Sequence, residues 1–163
     1  QLLSEVFAAV EPLVLQQQGS VVVELPDPDV MVLGNHTALA GALSNLVHNA
    51  LEHAGPGARI QLSAIASADD RQVVLAVEDE GPGVPEHLRQ QIFEPFYTTR
   101  SNGTGLGLAV VQAVATSHNG LARCMSGTAG GARFELVLPV CPAAVSTAHG
   151  RARSIKESSH AEA

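Results

Sequence analysis

Apolar positions along the chain follow two rhythms, and each change of rhythm marks an element. Leu2, Leu3, Val6, Ala9, Val10 and Leu13 recur at helical spacing, and the glutamine run Gln16–Gln18 before Gly19 predicts where that first helix frays. Pro12 is placed to bend it. Val21–Leu25 is short and β-branched, Pro26 and Pro28 make a turn, and Val30–Leu33 is apolar again, which predicts a pair of strands. Leu39, Leu43, Leu46, Val47, Ala50, Leu51 and Ala54 then form a broad stripe of helical period. This second helix is expected to start from an Asn35 N-cap and to end at Ala54, before Gly55-Pro56-Gly57.

Ile60–Ile65 and Val73–Val77 read as antiparallel strands joined through the polar turn Ser67-Ala68-Asp69-Asp70. A short helix is expected from Pro85 to about Ile92. A third main helix follows over Gly105–His118, with Leu106, Ala109, Val110, Ala113 and Val114 as its apolar face and Asn119-Gly120 as its stop. Leu121–Ser126 and Arg133–Leu138 close the pattern as strands around the Gly127–Gly131 turn. Beyond Pro139 no periodic apolar face offsets the entropy of ordering, so the domain is expected over residues 1–139 and a disordered tail over 140–163. Three helices and five or six mostly antiparallel strands in this order predict an α+β fold, a two-layer sandwich with helices on one face of a mixed sheet.

Charge narrows the function classes. The formal net charge is −7 and the nine Lys and Arg residues are scattered, which excludes a nucleic-acid surface because a phosphate backbone demands clustered cations. An acidic chain that binds a nucleotide must use backbone amides, helix termini and a metal ion. No apolar run of membrane-spanning length occurs and no export signal opens the chain, so a cytoplasmic domain without membrane contact is expected. Cys124 and Cys141 have neither CxxC nor zinc-ligand spacing and read as inert.

Three stretches carry candidate chemistry. Opposite the apolar stripe of the second helix lie Asn45, Asn49 and Glu52; amides one turn apart suit a hard cation beside phosphates, although this helix taken alone favours an ordinary solvated face. The strand ending in Glu78-Asp79 breaks into Gly81-Pro82-Gly83-Val84-Pro85, where a buried Asp79 can accept an exocyclic amine and glycines admit a flat ligand. Gly103-Thr104-Gly105-Leu106-Gly107-Leu108 runs into a helix N-terminus, a cradle for phosphate that differs from both the dinucleotide fingerprint and the lysine-ended phosphate loop. Between them, Ile92-Phe93-Glu94-Pro95-Phe96-Tyr97-Thr98-Thr99-Arg100 gathers three of the five aromatic residues and predicts a hydrophobic clasp at the base of a lid.

Taken in order, NLVHNALEHA (45–54), DEGPGVP (79–85), IFEPFYTT (92–99), GTGLGL (103–108) and GGARFELVLP (130–139) resemble the ATP-binding catalytic domain of bacterial sensor histidine kinases, in the superfamily that includes gyrase, Hsp90 and MutL. The similarity to the nitrogen- and flagellar-regulation kinases rests on the short lid. The resemblance implies a Bergerat-type sandwich binding Mg²⁺ and ATP. It assigns Asn49 to the metal, Asn45 to its partner one turn earlier and Asp79 to adenine. It further implies nucleotide contacts from Glu52, His53, Gly81, Gly83, Val84, Phe93, Phe96, Thr98, Thr99, Gly103, Thr104, Gly105, Leu106, Gly107 and Leu108. Glu52, His53 and Ala132 depart from the common basic residue, tyrosine and threonine. Where the hydrolase branches carry a glutamate base this chain has Asn45, and an amide cannot abstract a proton, which favours transfer over hydrolysis.

The resemblance implies as partners a histidine on a separate dimerisation hairpin and, downstream, a response regulator. None of His36, His48, His53, His87, His118, His149 or His160 sits in a phosphoacceptor box, so the acceptor is expected on another domain, each histidine on the surface or in the cleft, and this domain is expected as a monomer. Three other readings share these boxes: an anti-sigma-factor-type serine kinase, an ATPase of the MutL or gyrase class, and a degenerate interaction module.

Overall fold

The computed structural model describes residues 1–25, 30–67, 69, 71–99, 101 and 103–141; the expected tail lies, from residue 142 onward, outside the described residues, as do the turn prolines, Arg100 and Asn102. The chain folds as α1 (Leu2–Gln16), β1 (Ser20–Glu24), α2 (His36–Ala54), β2 (Arg59–Ala66) and β3 (Gln72–Asp79). Two 3₁₀ turns, Glu86–Leu88 and Gln91–Phe93, then lead to α3 (Gly107–Ser117), β4 (Leu121–Ser126) and β5 (Ala132–Pro139). The five strands form one mixed sheet in the order β1-β2-β3-β5-β4, with β1 parallel to β2 and every other pairing antiparallel. The expected α+β sandwich is the observed one.

The core lies between the sheet and the helices. Leu3, Val6, Val10 and Val14 of α1 and Leu39, Ala42, Leu43, Leu46, Val47, Ala50 and Leu51 of α2 are buried against Ile60, Leu62, Val77, Phe134, Leu136 and Leu138 of the sheet. Register aligns Ile60 with Asp79 and places Leu62, Val77 and Phe134 in one cross-strand row, so Asp79 shares the helix-covered face of the sheet. Truncating a residue as fully buried as Leu46 to alanine costs about 2–5 kcal/mol. Helix α2 begins as its sequence predicts: Asn35 caps it, its side chain accepting from the Ala38 N–H at 2.9 Å, and Gly55 ends it at a φ of 81°.

Four expectations need correction. Val30–Leu33 forms no strand; β1 instead pairs with β2, which follows it only after α2. The segment from Pro85 to Ile92 is two 3₁₀ turns, not one helix. Helix α3 starts at Gly107, and its buried residues are Val111 and Ala115, whereas Leu106 and Val110 are 40% and 46% exposed. Eight of the eleven residues of α3 are Gly, Ala, Val or Leu, so periodicity does not select the stripe that faces inward. Finally His118 is buried: its Nε2 accepts the Asn35 N–H at 2.9 Å and its Nδ1–H donates to the Val114 carbonyl at 2.7 Å, a neutral ring tying the start of α2 to the end of α3. Helix α1 continues through Pro12 without ending there.

Candidate functional site

A cleft of about 450 Å³ opens between α2, the end of β3 and the start of α3. One wall is the polar side of α2. Because Leu46, Val47, Ala50 and Leu51 face the core, the intervening Asn45, His48, Asn49, Glu52 and His53 face the cleft. Asn45 reaches toward α3, its Nδ2 3.5 Å from the Gly107 carbonyl.

The inner end is built on Asp79, which is 3% exposed and lines the cleft. Its Oδ1 accepts from the Gly81 N–H at 2.8 Å and the Ala132 N–H at 3.2 Å, which fixes the carboxylate and leaves Oδ2 for a ligand. Gly81 is packed beneath it, where a Cβ would lie 3.0 Å from Oδ1 and 3.1 Å from the Ala54 Cα. Gly83, at a φ of 74°, and Val84 continue the wall, with Pro82, Pro85, Leu88, Ile92, Ala132 and Phe134 completing an apolar slot. Phe93 does not line the cleft; it packs edge-on against Phe134, ring centres 6.3 Å apart, and so props the slot from behind.

The open side is bounded by Tyr97, Thr98, Thr99, Gly103, Thr104, Gly105, Gly107 and Leu108. Helix α3 lacks a side-chain cap, and its ladder starts with the Val110 N–H on the Leu106 carbonyl, so the first-turn amides of Gly107, Leu108 and Ala109 are left for a ligand. A Cβ on Gly107 would meet nothing within 4 Å, so this stretch of backbone is open to close approach. Gly105 is different. Its φ is 67°, its carbonyl accepts the Phe96 N–H at 2.9 Å, and a Cβ there would sit 2.5 Å from the Phe96 carbonyl carbon. Phe96 itself takes a φ of 66° and stands 75% exposed outside the cleft; Leu106, at the helix cap, is also outside it.

The cleft therefore gathers Asn45, Asn49, Glu52, His53, Asp79, Gly83, Val84, Thr98, Thr99, Gly103, Thr104, Gly105, Gly107 and Leu108, and leaves Gly81, Phe93, Phe96 and Leu106 in supporting or outward positions. Sequence reasoning did not single out Leu88 or Phe134: the place of Phe134 depends on which strands pair, and that of Leu88 on how the 3₁₀ turn Glu86–Leu88 packs over the slot. Among the described wall residues no Lys or Arg occurs, and among the described residues no three His, Cys, Asp or Glu side chains cluster as a self-sufficient metal site. The donor set fits a hard cation such as Mg²⁺ held partly by a side-chain amide oxygen and mostly by water and the oxygens of a bound phosphate.

On the opposite face of the sheet lies an ion network. Burial pushes the Glu78 carboxyl up, but hydrogen bonds from the Thr128 hydroxyl and N–H and from Arg133 outweigh it and hold the group below its ordinary range. Glu135 is lowered likewise, burial being outweighed by Arg133 Nε at 2.7 Å and Arg123 Nε at 2.6 Å. The Cys124 thiol is pushed by burial to about 11, in keeping with an inert residue.

Comparison with known proteins places these features in a family. Residues 34–142 match the model of the histidine kinase-, DNA gyrase B- and HSP90-like ATPases. The sensor histidine kinase CpxA of Escherichia coli (strain K12) is 37% identical over 149 residues, covering 86% of this chain and 31% of CpxA. The chain thus spans about a third of the length of that curated relative. The catalytic domain of histidine kinase ThkA superposes with a TM-score of 0.76 at 30% identity, covering 86% of this chain and 93% of that domain. ThkA is also known in complex with the response regulator protein TrrA, where the match covers 87% of this chain and 40% of that one at 27% identity and a TM-score of 0.73. The ATP binding domain of PrrB from Mycobacterium tuberculosis is 36% identical with a TM-score of 0.66, covering 82% and 89% of the two chains.

Proposed function

The chain belongs to the histidine kinase-, DNA gyrase B- and HSP90-like ATPase family, and from that premise we propose that it binds ATP with Mg²⁺ in this cleft and passes the γ-phosphate to a histidine on a dimerisation domain. The observation that carries the reading is Asp79: a buried carboxylate with one oxygen fixed by two backbone N–H groups and the other left to accept the exocyclic amine of adenine. The apolar slot formed by Val84, Leu88, Ile92 and Phe134 suits a purine ring lying flat. Guanine presents an oxygen to Asp79 and is refused.

From the base the triphosphate runs between α2 and the start of α3. The free first-turn amides of α3 receive phosphate oxygens, and Asn49, with Asn45 one turn before it, supplies ligands to the metal. Asn49 and Asn45 would hold Mg²⁺ there, and the ion would supply neutralisation of the negative charge on the phosphoryl group during transfer. Thr98, Thr99, Gly103 and Thr104 border the same path, and Glu52 and His53 face it from α2. Asn45 stands where hydrolysis needs a base and cannot act as one, so the cleft positions a phosphate for an incoming nucleophile rather than activating water.

The acceptor histidine sits on the dimerisation domain and the phosphate then reaches a response regulator, as the pairing of ThkA with TrrA supports. The domain works on the cytoplasmic side and is monomeric by itself; no helix among the described residues is long and apolar enough to cross a membrane. The test is to mix the chain with γ-labelled ATP, Mg²⁺ and histidine-bearing hairpin domains. Acid-labile label on the hairpin is the expected product, while acid-stable label or release of free phosphate alone would refute histidine transfer.

A further inference from the structure

The proposal concerns Glu78, the neighbour of Asp79, and it rests on the assignment of the base to Asp79. Successive residues of a strand face opposite sides, so Asp79 points into the cleft while Glu78 points to the outer face of the sheet, yet Glu78 is only 6% exposed. Its Oε1 accepts both the N–H and the hydroxyl of Thr128, at the tip of the β4–β5 turn, and its Oε2 accepts from Arg133 Nη1 at 3.1 Å. That turn also touches Asp79. A Cβ on Gly131 would lie 1.9 Å from the Asp79 carbonyl oxygen, so the two backbones are in direct contact, and the next residue, Ala132, donates its N–H to Asp79 Oδ1. Gly127 closes the turn, its N–H donating to the Gly131 carbonyl at 2.8 Å, and lies against Glu78, where a Cβ would be 3.1 Å from Oε1.

The turn is thus gripped from both sides of one strand end. We propose that Glu78 and Thr128 form a tether on the outer face of the sheet that sets the position of the Ala132 N–H, and through it the orientation of the Asp79 carboxylate that discriminates adenine from guanine. Glu78 never reaches the ligand; it is a positioning residue. Its negative charge faces Arg133, whose Nε is held by Glu135, while its acceptor oxygen faces Thr128. These two functions separate by substitution. Glu78→Gln keeps an acceptor for Thr128 and removes the charge; Glu78→Ala removes both; Thr128→Val removes the hydroxyl half of the tether and leaves Arg133 untouched.

The experiment measures the affinity of the full chain for ATP and for GTP, each with Mg²⁺, by calorimetry on wild type and the three variants, with folded fraction checked by circular dichroism. A loose Asp79 loses one hydrogen-bond equivalent for adenine, so the ATP-over-GTP preference is expected to fall about threefold to tenfold in Thr128→Val and Glu78→Ala and to stay near wild type in Glu78→Gln. A merely structural role would lower the folded fraction in proportion to lost ion pairs and leave the preference of the folded molecules unchanged. If Glu78→Ala does not fold, Thr128→Val decides alone: an unchanged preference there overturns the tether. Should wild type itself show no preference for ATP, the base assignment at Asp79 falls and the tether with it.

Discussion

Replacing Asp79 by asparagine tests the cleft at its most constrained point. The substitution exchanges one carboxylate oxygen for an NH₂ of the same size, so the side chain still fits a site that is 3% exposed. The amide oxygen retains the bonds from Gly81 at 2.8 Å and Ala132 at 3.2 Å, because both fall on the same oxygen, Oδ1. What changes is the group offered to the base: a donor now faces the donor of adenine. The charge-assisted bond lost is worth about 1.5–3 kcal/mol, which weakens ATP binding by between about tenfold and about 150-fold. The same NH₂ can donate to the exocyclic 6-carbonyl oxygen of the inosine base, so inosine triphosphate should lose less than ATP or gain. Calorimetric titration of wild type and Asp79→Asn with both nucleotides, beside thermal melts that should nearly coincide, makes the comparison. Equal ATP affinity in the two proteins would refute the assignment of the base to Asp79.

Other predictions follow from the remaining walls. Asn49→Ala should leave the melt unchanged, since its side chain faces the cleft, and cut label transfer to a supplied hairpin domain by about a hundredfold or more, a size typical of losing one transition-state positioning group; retained transfer rejects the metal assignment. Gly105→Ala introduces a Cβ at 2.5 Å from the Phe96 carbonyl carbon and at a φ of 67°, so it should cost about 1–2 kcal/mol for the backbone alone; an unshifted denaturation midpoint would show that the loop relaxes freely. Glu78 and Glu135 have folded pKa values below the ordinary 4.5, so their contribution is fully present above that pH and is lost as pH falls through the depressed values. Glu135→Gln should therefore lower stability at neutral pH and flatten the acid limb below pH 4.5, read by urea denaturation at several pH values; parallel acid limbs would dismiss the network as the cause.

Local signals carried much of this architecture. The Asn35 cap, the apolar stripe of α2 and the positive-φ Gly55 are all short-range, and they located that helix to within a residue. The Asn119-Gly120 stop of α3 works the same way, Asn119 taking a φ of 55°. Non-local choices were less legible. Whether Val30–Leu33 pairs depends on which strand lies next to β1, and a parallel partner beyond α2 takes that place. The inward face of α3 depends on what covers it, and a helix with small apolar residues on more than one side does not reveal that. His118 reads in the sequence as a surface or cleft residue, because its acceptor role becomes visible only when the Asn35 amide, remote in sequence, is brought beside it. The cleft splits along the same line. Its polar wall follows from the helical period of Asn45, Asn49 and Glu52, whereas Leu88 and Phe134 enter it through tertiary packing.

Tyr97 gives this cleft a spectroscopic consequence. The chain contains no tryptophan and a single tyrosine, and that one ring stands in the wall of the cleft. Ultraviolet emission from the unmodified protein therefore originates almost entirely at the place where a guest molecule would enter. Quenching or enhancement of that emission reports occupancy directly, with no dye, no engineered fluorophore and no background from elsewhere in the chain to subtract.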